Sequence, residues 1–268
     1  MKKKLKSFLQ KNNLYYPLRY SFFFRIYQYL FKPGDIQNEK KETAFYTSFL
    51  PPSDLIFDIG AYDGHKTEAF LLLAKRVVSC EPDQLSFSVL KNRFRNKRKR
   101  VFLENKALSD IVSEQTFLIH HAGSAFNTLS NKWKETLEKD NMEKWNEKIK
   151  FSKQEIIQAT TLDSLIEKYG RPGFIKIDVE GYEEHVLKGL SQPVPFLSFE
   201  GLFPDGYAEL NNCLDRIDSL DDSATYNIAA HEKLLLPGFI NRERLIDWLQ
   251  KNPVMHLEII AKMNVYPA

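Results

Sequence analysis

The chain has 268 residues, 43 % of them hydrophobic, enough for one substantial core and too little for two full catalytic domains. Its 38 basic and 35 acidic side chains leave a formal net charge of +3, which demands no nucleic-acid partner, and none is expected. Cys80 and Cys213 make neither a metal spacing nor a disulfide framework, so a reducing, cytoplasmic compartment is expected.

Residues 1–50 read as a basic and aromatic helical extension, and 51–268 as the main domain. Lysines crowd Met1 to Lys6, and Leu18, Phe22, Ile26 and Leu30 recur at helical spacing, which predicts a short helix ending near Pro33-Gly34. Arg19 and Arg25 interrupt the apolar run and no small-residue cleavage site follows, so neither a signal peptide nor a membrane span is expected. The aromatic face of this helix is expected to pack on the main domain or a second subunit; peripheral contact with a membrane surface is the alternative.

Apolar runs at Leu55–Ile59, Val77–Cys80, Val101–Leu103, Phe174–Ile177 and Phe196–Phe199 alternate with helix-compatible stretches. That rhythm predicts an α/β fold with a doubly wound, mostly parallel sheet, whose strand carboxyl ends meet at one ligand-binding edge. Two segments depart from it. Lys91 to Arg100 carries seven Lys or Arg in ten residues just before a strand, placing it at the opposite edge as a solvated helix end, with an anionic partner as the second reading. Asn131 to Lys150 is an insertion, with Trp133, Leu137, Met142, Trp145 and Ile149 loosely on one helical face; it reads as a lid or as a surface helix.

The first strand runs into Asp58-Ile59-Gly60-Ala61-Tyr62-Asp63-Gly64, followed by the helix-compatible Lys66 to Leu73. A strand, a glycine turn and a helix make a nucleotide-approach loop. Lys66-Thr67 stands at the wrong offset from Gly64 for a phosphate-cradling Walker loop, and no G-x-G-x-x-G triplet admits a pyrophosphate. A ligand with no phosphate between its sugar and its reactive end relaxes both demands, and S-adenosylmethionine is such a molecule. The second strand ends in Cys80-Glu81-Pro82-Asp83, placing Glu81 21 residues beyond Gly60, close to the offset of about 20 for an acid that binds ribose hydroxyls.

These segments, with Ala107-Leu108-Ser109-Asp110, Thr161-Leu162-Asp163, Lys176-Ile177-Asp178-Val179-Glu180-Gly181 and Gly189, resemble the FkbM family of class I methyltransferases in order and spacing over about Asp54 to Glu200. The resemblance implies a Rossmann-like sheet of seven strands with an antiparallel last strand, S-adenosylmethionine as cofactor, and methylation of oxygen on sugars, glycolipids or small metabolites. By position it implies Asp58 and Gly60 facing the methionine portion, Glu81 the ribose and the backbone near Ala107 the adenine, with Ala61, Gly64 and Asp83 also among the cofactor-binding residues. Lys106 departs from the pattern, since it cannot accept from the adenine amine; Asp110 is the substitute.

Methyl transfer to a hydroxyl benefits from a carboxylate or imidazole that takes the proton. Asp178, closing the fourth strand, is the first candidate, and Glu180 the second, unless it is a helix-N-terminal acid. Glu200 ends the fifth strand at the same rim, and with Asp178 offers two ligands to a divalent cation, short of the usual six; a metal is left open rather than predicted. His120 and His121 start a loop suited to folding over a substrate, and His185 is expected about two turns into the helix after Asp178. A noncatalytic nucleotide-binding or partner-binding module is the rival reading.

Overall fold

The computed structural model describes residues 33–139, 148–203, 206–254 and 256–265. The helix expected before Pro33 lies outside these residues, as do Met142 and Trp145. Pro33 and Gly34, read as a helix stop, lie instead within helix α1 (Pro33–Thr47).

All five apolar runs are strands of one sheet. β1 (Ser53–Ile59), β2 (Ala74–Cys80), β3 (Val101–Glu104), β7 (Phe174–Ile177) and β8 (Phe196–Leu202) lie parallel in the spatial order β3-β2-β1-β7-β8. β11 (His256–Lys262) runs antiparallel between β8 and β9 (Thr225–Ala230), and the two-residue β10 (Lys233–Leu234) makes the edge. The sheet thus has eight strands among the described residues, one more than the resemblance implies.

Alternate residues of the central strands feed two cores. Leu55, Phe57, Ile59, Ile175 and Ile177 face one side, under α5 (Leu162–Tyr169), α6 (Glu183–Lys188), α7 (Tyr207–Leu220) and α8 (Arg242–Lys251). Ile56, Val77 and Phe174 face the other, under α1, α2 (His65–Phe70) and α3 (Gln84–Arg93). Burial of both faces explains why these strands read as continuous apolar runs. Tyr46 of α1 is 1 % exposed and packs edge-on to Phe70 with ring centroids 4.8 Å apart, so the end of the extension is part of this core.

A second sheet of three strands, β4 (Ala107–Leu108), β6 (Lys153–Thr160) and β5 (Ser113–Ile119), flanks the insertion. Within the insertion, α4 (Asn131–Lys139) buries Leu137, which clusters with Leu118, Ile149 and Phe151 against Trp133 and Phe126. The basic segment leaves α3 as expected, but three of its charges are structural. Arg93 and Lys97 pair with Glu68 at 2.9 and 2.8 Å, and Arg100 donates to the carbonyls of Leu71, Ala74 and Lys75. Among the described residues no helix is long and apolar enough to cross a membrane.

Candidate active site

The turns after β1 and β2 meet at the carboxyl edge of the sheet. The amides of Gly60 and Ala61 both donate to the Cys80 carbonyl at 3.0 Å, and the Tyr62 amide donates to Glu81 Oε2 at 2.9 Å. Glu81 Oε1 accepts from the Asp83 amide at 2.8 Å, so each carboxylate oxygen keeps a lone pair for a ligand. Burial pushes the Glu81 carboxyl up to about 8, against the pull of these two amides.

Beside Glu81 lies a cavity of about 170 Å³ whose lining includes Asp58, Gly60, Ala61, Lys106, Ala107 and Asp178. Its walls join a polar end, Glu81, to an apolar patch of Ala107, Leu108 and Phe117. The loop that starts at His120 closes over this cavity with Ser124, Ala125 and Asn127, and its Phe126 reaches the larger chamber described below, but neither His120 nor His121 lines the cavity.

Several candidates also do structural work. Gly60 has φ +82°, and a Cβ there would stand 1.7 Å from the Asp178 carbonyl; the missing side chain admits β7's end, although the residue also borders the cavity. Gly64, with φ +80°, opens α2 away from the cavity, and a Cβ would press on Phe94 and Leu90 at 2.6 and 2.7 Å. The Asp58 carboxylate accepts from Thr67, whose hydroxyl also meets Ser79 at 2.9 Å, tying β1 to α2 and β2. Asp83 caps α3 through the Leu85 and Ser86 amides and anchors the covering loop through Gly123 and Asn127. Asp110 is exposed beside His185, outside the lining of this cavity. His185 stands in the first turn of α6, stacked on Tyr182 with centroids 4.3 Å apart.

A larger chamber of about 770 Å³ adjoins the cavity, sharing Lys66, Leu129, Glu180 and Tyr182 with it. The acidic candidates divide between them. Asp178 borders the smaller cavity, Glu200 the larger chamber, and Glu180 both. Glu180 takes φ +57° and accepts from Trp133 Nε1 at 3.0 Å; burial, then Asp178 and Glu200, raises its carboxyl well above the usual range. The helix-terminal acid is Glu183, which accepts from the Val179 and Gly181 amides and is pushed by burial to about 7.

Lys176, which the sequence reading left unassigned, is fully buried, with Nζ 3.6 Å from Asp178 Oδ2, 3.5 Å from Glu200 Oε1 and 3.8 Å from Glu258 Oε1. Its signal was a lysine inside the otherwise apolar strand Phe174–Ile177. Lys66 Nζ adds a bond to Asp178 at 3.3 Å. Burial alone would raise Asp178, but Lys176 and Lys66 outweigh it and hold the carboxyl at about 2. Lys176 thus supplies the positive charge shared by Asp178 and Glu200, and no group of three His, Cys, Asp or Glu side chains placed to hold a metal ion occurs among the described residues.

The model of the methyltransferase FkbM domain matches residues 58–201, more than half of the chain. This chain belongs to the FkbM methyltransferase family. An FkbM methyltransferase from Methylobacillus flagellatus KT aligns with a TM-score of 0.51 at 16 % identity, over 82 % of this chain and 47 % of the other. The chain therefore spans about half the length of that protein. A precorrin-6y C5,15-methyltransferase from Geobacter metallireducens GS-15 aligns at TM-score 0.43 and 10 % identity, over 84 % and 86 % of the two chains. An O-methyltransferase from Bacillus cereus, solved with SAH, aligns at TM-score 0.38 and 16 % identity, over 85 % and 80 %. No curated protein matches the sequence. The fold is that of class I methyltransferases, with the parallel strands and antiparallel β11 as the FkbM resemblance implies.

Proposed function

We propose that this FkbM-family chain transfers a methyl group from S-adenosylmethionine to a hydroxyl of a sugar, glycolipid or small metabolite. The observation that carries the reading is the junction of two cavities at Glu180, one beside the buried Glu81 carboxylate and the other large enough for a glycan-sized acceptor. The smaller cavity fits the cofactor chemically. Glu81 offers free lone pairs to two ribose hydroxyls, and Ala107, Leu108 and Phe117 offer an apolar seat to a base.

The bound cofactor would supply an already activated methyl on a sulfonium, so the protein's main work is alignment and water exclusion. Trp133 of α4 and Tyr182 border the acceptor chamber, and α4 is held over it by the bonds of Trp133 to Glu180 and Lys132 to Glu209, which supports the lid reading of the insertion. Aromatic walls and carboxylates together suit a polyhydroxylated acceptor, whose C–H faces pack on rings while its hydroxyls donate to oxygen. Asp178, Glu180 and Glu200 are the carboxyls at the reacting centre.

The test is incubation with methyl-labelled S-adenosylmethionine and cell-envelope glycan or lipid fractions, with mass spectrometry locating the label. Label on a hydroxyl is expected. Label confined to protein or RNA contradicts the acceptor class.

A further inference from the structure

Lys176 gives this site an asymmetry that its three carboxylates alone lack. The residue sits mid-sheet with 0 % side-chain exposure, and a lysine there is tolerated only if its charge is matched. Asp178 just past the end of its own strand, Glu200 on β8 and Glu258 on β11 converge on the one ammonium. Asp178 carries a second cation, Lys66 at 3.3 Å, and lines the cofactor cavity. Glu200 has only the Lys176 pairing among the ion pairs of the described residues, is 49 % exposed, and lines the acceptor chamber.

We propose that Lys176 is a positioning residue that fixes Asp178 as a permanent charge partner and holds Glu200 on the acceptor side as the carboxylate that takes the hydroxyl proton. The inference rests on the methyl-transfer reading above. In the step, the acceptor oxygen forms its bond to the methyl carbon as the carbon–sulfur bond breaks, the sulfur keeps that electron pair, and the hydroxyl proton passes to a Glu200 oxygen. Asp178, gripped by two ammonium groups, is too weak a base for this work. Burial and the neighbouring Asp178 instead raise Glu200, against the pull of Lys176. Other charged or titratable groups around the pair are Asp58 on β1, Glu42 and Tyr46 on α1, and Glu180 after β7.

The experiment compares full-length wild type with Lys176→Met, Lys176→Arg and Glu200→Gln. Its readouts are calorimetric affinity for S-adenosylmethionine, the pH profile of methyl transfer to the labelled envelope fraction, and carboxyl ¹³C titrations. Glu200→Gln should lower transfer about 100-fold or more while cofactor affinity stays within about threefold. Lys176→Met should move the acid limb of the profile, and a carboxyl titration of the free protein, up by roughly one unit or more, and Lys176→Arg should restore both. If Lys176→Met does not fold, Lys176→Met with Glu258→Gln removes one charge of each sign and should shift both in the same direction by a smaller amount, since Glu258 itself raises Glu200. An unmoved limb and unmoved titrations in a folded variant, or full transfer by Glu200→Gln, overturn the proposal. Absence of cofactor binding by the wild type would instead remove the methyl-transfer reading itself.

Discussion

Glu81 shows how one buried side chain ties protonation to ligand binding. With its carboxyl pushed to about 8, it is largely protonated at neutral pH in the free protein. Ribose hydroxyls donate best to the ionised form, so binding expels a proton, and affinity rises with pH up to about 8. Calorimetry in two buffers of different ionisation enthalpy should detect that proton, and Glu81→Gln should abolish it; the same proton release from the glutamine variant contradicts the assignment. The two glycines of the turn separate by location. Gly64→Ala strains a left-handed position against Leu90 and Phe94 and should cost roughly 1–3 kcal/mol in urea unfolding while leaving cofactor affinity unchanged. Gly60→Ala drives a carbon into the Asp178 carbonyl, shifting the strand end that carries the acids, and should weaken cofactor binding as well as stability.

At the scale of elements, α1 is an integral layer rather than an appendage. Tyr46 and Phe45 pack with Phe70 and Phe174, so Tyr46→Ala should cost about 3–5 kcal/mol, measured by urea unfolding, whereas an appended helix would leave the midpoint unmoved. The sequence showed the parallel strands because burial on both faces makes each one an unbroken apolar run, as in Phe174–Ile177 apart from its lysine. It did not show β5 and β6. Their alternating burial leaves residues such as Glu114, Gln154 and Ile156 exposed, and that pattern hides in a charged stretch. The site was legible in part. Glu81 and Gly60 stood out through their spacing, whereas the structural work of Asp83 was signalled only by its place three residues before Ser86, as a helix cap, and the charge-matching of Lys176 needs strands distant in sequence. The larger chamber is assembled from α1, α4, α7 and the antiparallel strands, a convergence no local pattern encodes.

Across the whole molecule, the perturbed carboxyls set how stability follows pH. Glu81 and Glu183, raised to about 8 and about 7, bind more protons folded than unfolded between their ordinary value of 4.5 and those limits, so stability falls as pH rises through that window. His65, raised by Asp63 and Glu42 against the effect of burial, acts in the same direction, its contribution being full below 6.5 and lost as pH rises through its folded value. Asp63 and Asp178, held at about 2, contribute stability above their ordinary 3.8 that is lost as pH falls towards 2. The free protein should therefore be most stable on the acid side of neutrality, and urea midpoints measured at about pH 5.5 and about pH 8 should fall in that order. Saturating cofactor should narrow the difference, because binding favours the ionised Glu81. The reverse order without ligand would mean that these carboxyls are not buried as described.

The pairing of the Gly60 and Glu81 turns around an adenosine sugar is tested most directly by titrating S-adenosylmethionine into wild type and Glu81→Ala in a calorimeter. One site per chain is expected for the wild type, with affinity falling at least about tenfold in the variant, the loss of a charge-assisted pair of hydrogen bonds. Equal affinity in the two proteins would contradict it.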